Sequence, residues 1–128
     1  MWGKEINGIG DEVITAVGTD AQNNIYAYGT FSSLTSFDNT DILPDSGKLN
    51  AFVVKYNPSG NYQFIKQFSS EFLYITEFPT DYESPFVVDA KGNIYLGGGF
   101  AGSLIYETDT LVSNSSPHLF YANGFLLN

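Results

Sequence analysis

Asp20-Ala21-Gln22-Asn23-Asn24-Ile25-Tyr26 and Asp89-Ala90-Lys91-Gly92-Asn93-Ile94-Tyr95 are two versions of one phrase, set 69 residues apart. The opening aspartate can bond the backbone ahead of it, and Asn or Gly tolerates the left-handed conformation that a tight reversal needs. Ile-Tyr then starts an extended run whose alternate side chains point to opposite faces. At the same spacing Gly98 follows Gly29 and Phe100 follows Phe31. Each phrase therefore reads as a turn between two antiparallel strands, with a phenylalanine aimed at a neighbouring sheet.

Outward from this phrase the chain is a series of short β-rich runs: Val13 to Thr19, Ile25 to Phe31, Asn50 to Tyr56 and Tyr62 to Phe68. Asn57-Pro58-Ser59-Gly60 separates the last two as a hairpin turn, with Pro at the first corner and Gly where positive φ is needed. No stretch carries apolar residues at i, i+3, i+4 and i+7 over three turns, so helices are not expected. Asn123-Gly124-Phe125 repeats Asn50-Ala51-Phe52 at a spacing of 73 residues, and Phe64-Ile65-Lys66-Gln67-Phe68 echoes Trp2-Gly3-Lys4-Glu5-Ile6 at a spacing of 62. A unit of this size occurring twice is a sign of propellers or arrays.

Composition narrows the function classes. The chain has 128 residues, fourteen acidic and five basic, for a formal net charge of −9, and aromatics make up 16%. That aromatic content is enough to build a core, which argues against global disorder. All five basic residues are lysine, so a phosphate-tracking surface and nucleic-acid partners are not expected. The absence of cysteine excludes disulfides, thiolate metal sites and a cysteine nucleophile. Met1-Trp2-Gly3-Lys4-Glu5 does not read as the basic head of a secretory signal. No run approaches the roughly 18 apolar residues of a membrane span. Acidic, cysteine-free, polar-aromatic composition fits an extracellular or bacterial cell-surface protein, read as a mature piece or an excerpt.

The combined pattern resembles the SBBP-type bacterial β-propeller repeat. The resemblance rests on Asp20 through Phe31 and Asp89 through Phe100, and on Phe37-Asp38 with its counterpart Tyr106-Glu107. It also rests on Asn50 through Asn61, and on Trp2 through Ile6 with Phe64 through Phe68. Asn50 and Asn123 depart from the usual Asp, and Gln22-Asn23 from the usual Ser-Gly. The resemblance implies four-stranded blades, a binding or display role, and no shared active site. The expected fold is all-β: one propeller segment over residues 1–128, with blade-like repeats at about 7–68 and 69–128. The strand at 2–6 would belong to an adjacent blade. Two blades leave open edges, which invite pairing. The chain is therefore expected either to be part of a longer protein or to form a homo-oligomer of three or four copies.

Chemistry-bearing residues are few. Asp38, Asp41 and Asp45 share one acidic loop and are weak calcium candidates, because hard oxygen ligands suit that ion. Their spacing is not that of an EF-hand. No other cofactor is implied. Tyr74, Tyr82 and Tyr121 are weak ligand-binding candidates, since aromatic faces with polar tips suit sugar stacking. His118 is the single histidine, and no nucleophile elbow is present. Gly97-Gly98-Gly99 reads as a strand bulge. Asn114-Ser115-Ser116 fits an N-glycosylation acceptor, and Asp109-Thr110-Leu111 looks like a short O-glycosylation motif. Segments Ser32 to Leu49, Ser69 to Pro85 and Ala101 to Ala122 are expected as variable loops at a rim, where recognition usually sits. The expected function is a non-catalytic secreted or cell-surface module for protein interaction, scaffolding or adhesion. The alternative is a small oligomeric carbohydrate-binding lectin. An enzyme with its catalytic residues outside this stretch is a third reading.

Overall fold

The computed structural model describes residues 1–74, 86–113 and 123–127, the last five and 72–74 by their backbone. Every regular element among them is a strand. They are β1 (Asn7–Gly8), β2 (Glu12–Thr19), β3 (Ile25–Phe31), β4 (Thr35–Phe37), β5 (Thr40–Ile42) and β6 (Leu49–Tyr56). After these come β7 (Tyr62–Tyr74), β8 (Phe86–Val88), β9 (Ile94–Tyr106), β10 (Asp109–Val112) and β11 (Asn123–Leu127). All pairings are antiparallel. One large sheet runs β10-β9-β7-β6-β3-β2, with β8 and β11 also on β9, and β1-β4-β5 form a small second sheet.

The duplication written in the sequence is kept residue by residue in the hydrogen-bonded register. Val17 opposes Ala27 and Thr19 opposes Ile25; Phe86 opposes Leu96 and Val88 opposes Ile94. Asn50, Phe52 and Val54 oppose Phe31, Gly29 and Ala27; Asn123, Phe125 and Leu127 oppose Phe100, Gly98 and Leu96. The hairpin that pairs Phe37 with Thr40 and Thr35 with Ile42 recurs as Tyr106 with Asp109 and Leu104 with Leu111. Both hairpins turn on an acidic residue in the left-handed region, Asp38 at φ 53° and Glu107 at φ 52°. A one-residue slip would exchange the two faces of a strand, so agreement at this many pairs defines a shared module.

Two departures from expectation stand out. The segments Ser69 to Pro85 and Ala101 to Ala122 were expected as loops, yet Ser69–Tyr74 continues β7, and Ala101–Tyr106 and β10 are strand. Their polar residues sit in ladders that join the two modules: Phe68 opposes Tyr106, Ser69 opposes Ile105 and Ser70 opposes Leu104. The expected bulge at Gly97–Gly99 is absent, because all three pair in step with β11. The register shift falls instead between Ser70 and Phe72 of β7. Gly102 stands opposite at φ 79°, and a Cβ there would meet the Glu71 side chain. That side chain takes a hydrogen bond from the Ser103 hydroxyl at 2.9 Å. Such a bulge sharpens local twist where β7 leaves one module for the next.

The two expected blade-like repeats are linked through the β7–β9 ladder into one antiparallel strand path. Opposed residues share a face, so Phe68 and Tyr106 line the same surface. That surface carries the first core: Tyr28, Ala51, Val53 and Phe68 of the first module with Leu96, Phe100 and Leu104 of the second. Tyr28 stacks between Phe68 (6.0 Å, 4°) and Phe86 (5.7 Å, 18°). The opposite face of the first module carries a second core of Phe31, Phe37, Ile42, Phe52, Val54 and Tyr56, backed by Ile6. Phe37 meets Phe52 edge-on at 4.7 Å, a favourable geometry for two aromatic quadrupoles. Expected to pack between sheets, Phe31 and Phe100 are both buried in these cores.

The Tyr28 hydroxyl is buried without a hydrogen-bond partner among the described residues. Burial pushes its pKa up, which keeps it neutral but does not supply the missing bond. Tyr28→Phe removes the desolvated hydroxyl and keeps the aromatic stack. The variant is expected to match or exceed the parent in stability, by up to about 1 kcal/mol in urea unfolding.

Candidate interaction surface

The chain divides its connections between two ends. One end carries three tight turns built alike. The Asp20 carboxylate accepts from the backbone N–H of Gln22 and of Asn24, each at 3.0 Å. The Asp89 carboxylate accepts from Lys91 N–H at 2.8 Å and Asn93 N–H at 2.9 Å. The Asn57 side-chain oxygen accepts from Ser59 N–H at 3.0 Å and Asn61 N–H at 2.9 Å. Each turn passes through a left-handed residue, Asn23, Gly92 or Gly60.

The two aspartate turns also touch. Ala21 N–H donates to the Ala90 carbonyl at 3.2 Å. A Cβ on Gly92 would lie 2.5 Å from the Tyr26 hydroxyl and 3.2 Å from the Asp20 carboxylate. The second turn therefore covers the first, and Asp20 is buried while Asp89 remains partly open. Burial alone would raise the Asp20 pKa. The Asn24 side-chain amide and backbone N–H, the Tyr26 hydroxyl and the Gln22 N–H outweigh it and bring the group to about 2. The Lys55 amine stands 3.8 Å away. The Asn93 side chain and backbone N–H hold Asp89 below the ordinary carboxylate range as well.

The other end carries the longer connections, and its carboxylates are capped by hydroxyls. Ser33 and Thr35 donate to Glu12, each at 3.2 Å. Ser36 donates to Asp41 at 2.6 Å, Ser69 donates to Asp45, and Ser103 donates to Glu71. Lys4 pairs with Asp38 at 2.7 Å, and Lys66 pairs with Glu107. These two ion pairs are module equivalents, each set by a lysine in the recurring Lys-x-(Ile/Phe) run.

The three calcium candidates are placed with separate partners: Asp38 with Lys4, Asp41 with Ser36 and Asp45 with Ser69. No group of three metal-ligating side chains forms among the described residues. Of the tyrosine candidates, Tyr74 ends β7, where the backbone alone is described; Tyr82 and Tyr121 lie outside the described residues, as do His118 and Asn114. Thr110 of the short motif lies on the exposed strand β10. Asn50 explains its own departure from aspartate. Buried, it accepts from Asp45 N–H at 2.8 Å and donates to the carbonyls of Asp45 at 3.2 Å and Lys48 at 3.0 Å. A carboxylate cannot donate.

Two concavities lie along β7. A cavity of about 260 Å³ between the modules is lined by Val53, Phe64, Phe68, Ile94, Leu96 and Tyr106 with Lys66. It is smaller than the roughly 300–1,000 Å³ of ligand pockets and reads as a packing gap. An open groove of about 390 Å³ is lined by Leu43, Asp45, Ile65, Lys66, Gln67, Ser69, Ile105 and Glu107. It brings both hairpin neighbourhoods together and mixes charge, amide and hydroxyl groups with apolar floor. Sequence reading missed it because its residues come from three separate runs. The repeat equivalence of Lys4 with Lys66 and of Asp38 with Glu107, at the spacings of 62 and 69 residues, was the one available signal. No protein-family model, curated protein or solved structure matches this chain in comparison.

Two outcomes follow from these turns and caps. Because the Asp20 pKa is depressed in the fold, its stabilisation is present above the unfolded value of about 3.9 and is lost as pH falls toward 2. Asp20→Asn should lower the melting temperature at pH 7, and its stability should fall less than the parent's between pH 4 and 2.5. Asn50→Asp should cost about 1–3 kcal/mol in urea unfolding at pH 7, from two lost donor bonds.

Proposed function

We propose that this chain is a non-catalytic module of SBBP-type β-propeller character, acting in protein interaction or scaffolding on a secreted or bacterial cell-surface protein. The observation that carries the reading is the duplicated register, β2-β3-β6 matched by β8-β9-β11. A repeated unit that buries its face against its neighbour is the logic of repeat scaffolds. The use of the carboxylates supports a binding role. Asp20 and Asp89 hold turns, Glu12, Asp45 and Glu71 hold connections, and Asp38 and Glu107 hold lysines. Those acids are engaged in structure and do not converge on a reacting atom. The groove along β7 offers a rigid, mixed surface of the kind that recognition uses. With a net charge of −9, the favoured partner is a polypeptide segment carrying basic side chains.

The test is a parallel screen of the full chain on a random-peptide array and a glycan array. Basic peptides are expected to bind, and Gln67→Ala with Glu107→Lys should weaken that binding at least about tenfold, the scale of one or two interface hydrogen bonds. Binding to glycans alone would replace this reading with the lectin. Turnover of chromogenic ester or glycoside substrates would replace it with an enzyme.

A further inference from the structure

Strand β7 has two partners that overlap only at its middle. Residues 62–70 pair with β6 on one side, and residues 68–74 pair with β9 on the other. Before Phe68 the second side has no ladder partner among the described residues, so part of β7 is an open edge at the fork between the modules. The Gln63 side-chain amide marks where it begins, by donating to the carbonyls of Asn61 at 3.1 Å and Tyr62 at 3.0 Å. Beyond it Phe64, Ile65, Lys66 and Gln67 are all partly exposed. Alternate N–H and C=O groups along such an edge are available to another strand.

The two concavities flank this edge, and successive side chains of β7 alternate between them. Phe64, Lys66 and Phe68 line the cavity of about 260 Å³. Ile65, Gln67 and Ser69 line the groove, which Lys66 and Phe68 also reach. The cavity is small for a whole ligand, yet it exceeds the roughly 150 Å³ that holds one benzene ring. Its far wall is Ile94, Leu96 and Tyr106 of the second module, so it accepts one apolar side chain at a time. The groove carries Asp45 and Glu107, so it accepts a cation. A lysine on an edge ordinarily guards against strand addition. Here Lys66 is paired with Glu107 and lies 5.5 Å from the centre of the Tyr106 ring, which neutralises the guard. Strands β2 and β10 are also edges, but no residue of either lines the cavity or the groove.

Resting on the polypeptide-binding reading above, we infer that the partner segment binds as an added strand along residues 64–67, its side chains alternately apolar and basic. The apolar side chains enter the cavity between the modules, and the basic ones enter the groove beside Asp45 and Glu107. Main-chain hydrogen bonds to the edge supply affinity, and pockets for alternate side chains supply selectivity. A slip of one residue would turn each basic group toward the apolar cavity, so the two pockets fix the register. The net charge of −9 favours a cationic segment over a neutral one of the same pattern.

The probe is a capped octapeptide alternating lysine and valine, titrated against the full chain by calorimetry. Its control has the same composition with the lysines in one block. The alternating peptide is expected to bind at least about tenfold more tightly, and serine in place of valine should cost a similar factor. In a paired strand every second residue turns its N–H toward the neighbour. N-methylation of one alternate set should therefore weaken binding at least about tenfold, and N-methylation of the other set should leave it unchanged. Hydrogen exchange should slow at amides within residues 64–67. Equal binding of the alternating and blocked peptides, equal effects of the two methylated sets, or protection confined to β2 or β10 would each overturn the inference. Basic peptides that bind whatever their spacing would leave the protein-interaction reading standing and remove this one. Failure of every basic peptide to bind would remove both.

Discussion

Two backbone N–H groups converging on one side-chain oxygen organise this chain. At Asp20, Asn57 and Asp89 the side chain accepts from the residues two and four ahead, and the residue between adopts the left-handed conformation. A turn closed this way leaves its two strands one permitted register. The register in turn decides which residues face inward, because side chains alternate along each strand. The buried sets follow: Tyr28, Ala51 and Phe68 on one face of the first module, Phe31, Phe52 and Val54 on the other.

The modules are then joined by covalent economy as well as packing. β7 and β9 are each thirteen residues long, about twice an ordinary strand. Their first halves complete separate modules and their second halves pair with each other. The joint needs a sharp local twist, and the shift near Glu71 with left-handed Gly102 supplies it. Aromatic stacking across the joint, Phe68 on Tyr28 on Phe86, fills the angle that results. Polar groups follow the same division. Acids at the tight-turn end hold backbone N–H groups, and acids at the other end hold hydroxyls or lysines.

This use of charge bears on the proposed binding role. A surface whose carboxylates are already engaged presents a defined pattern of groups and little freedom to rearrange. Under the proposed reading such a surface would serve recognition by shape and complementary charge, with Gln67, Lys66 and Glu107 lining the groove beside β7.

Much of this was readable in the residues alone. Asp-x-x-(Gly/Asn)-Asn located the turns, Ile-Tyr located the strands that leave them, and the repeat spacings located the modules. These are local properties: turn chemistry and alternation act over a few residues, so a linear string records them in full. The joint was not readable. Ser69–Tyr74 and Ala101–Val112 mix apolar residues with Ser, Thr and acidic ones and carry no turn-bounded repeat of the Asp-x-x-(Gly/Asn)-Asn kind; they are strands because their ladder partners lie far away in β7 and β9 or across the Glu107 hairpin. The ion pairs, the groove and the placing of residues 2–8 were hidden for the same reason. Pairing between segments far apart in the chain is a property of the folded sheet, and the tertiary structure alone determines which edge meets which.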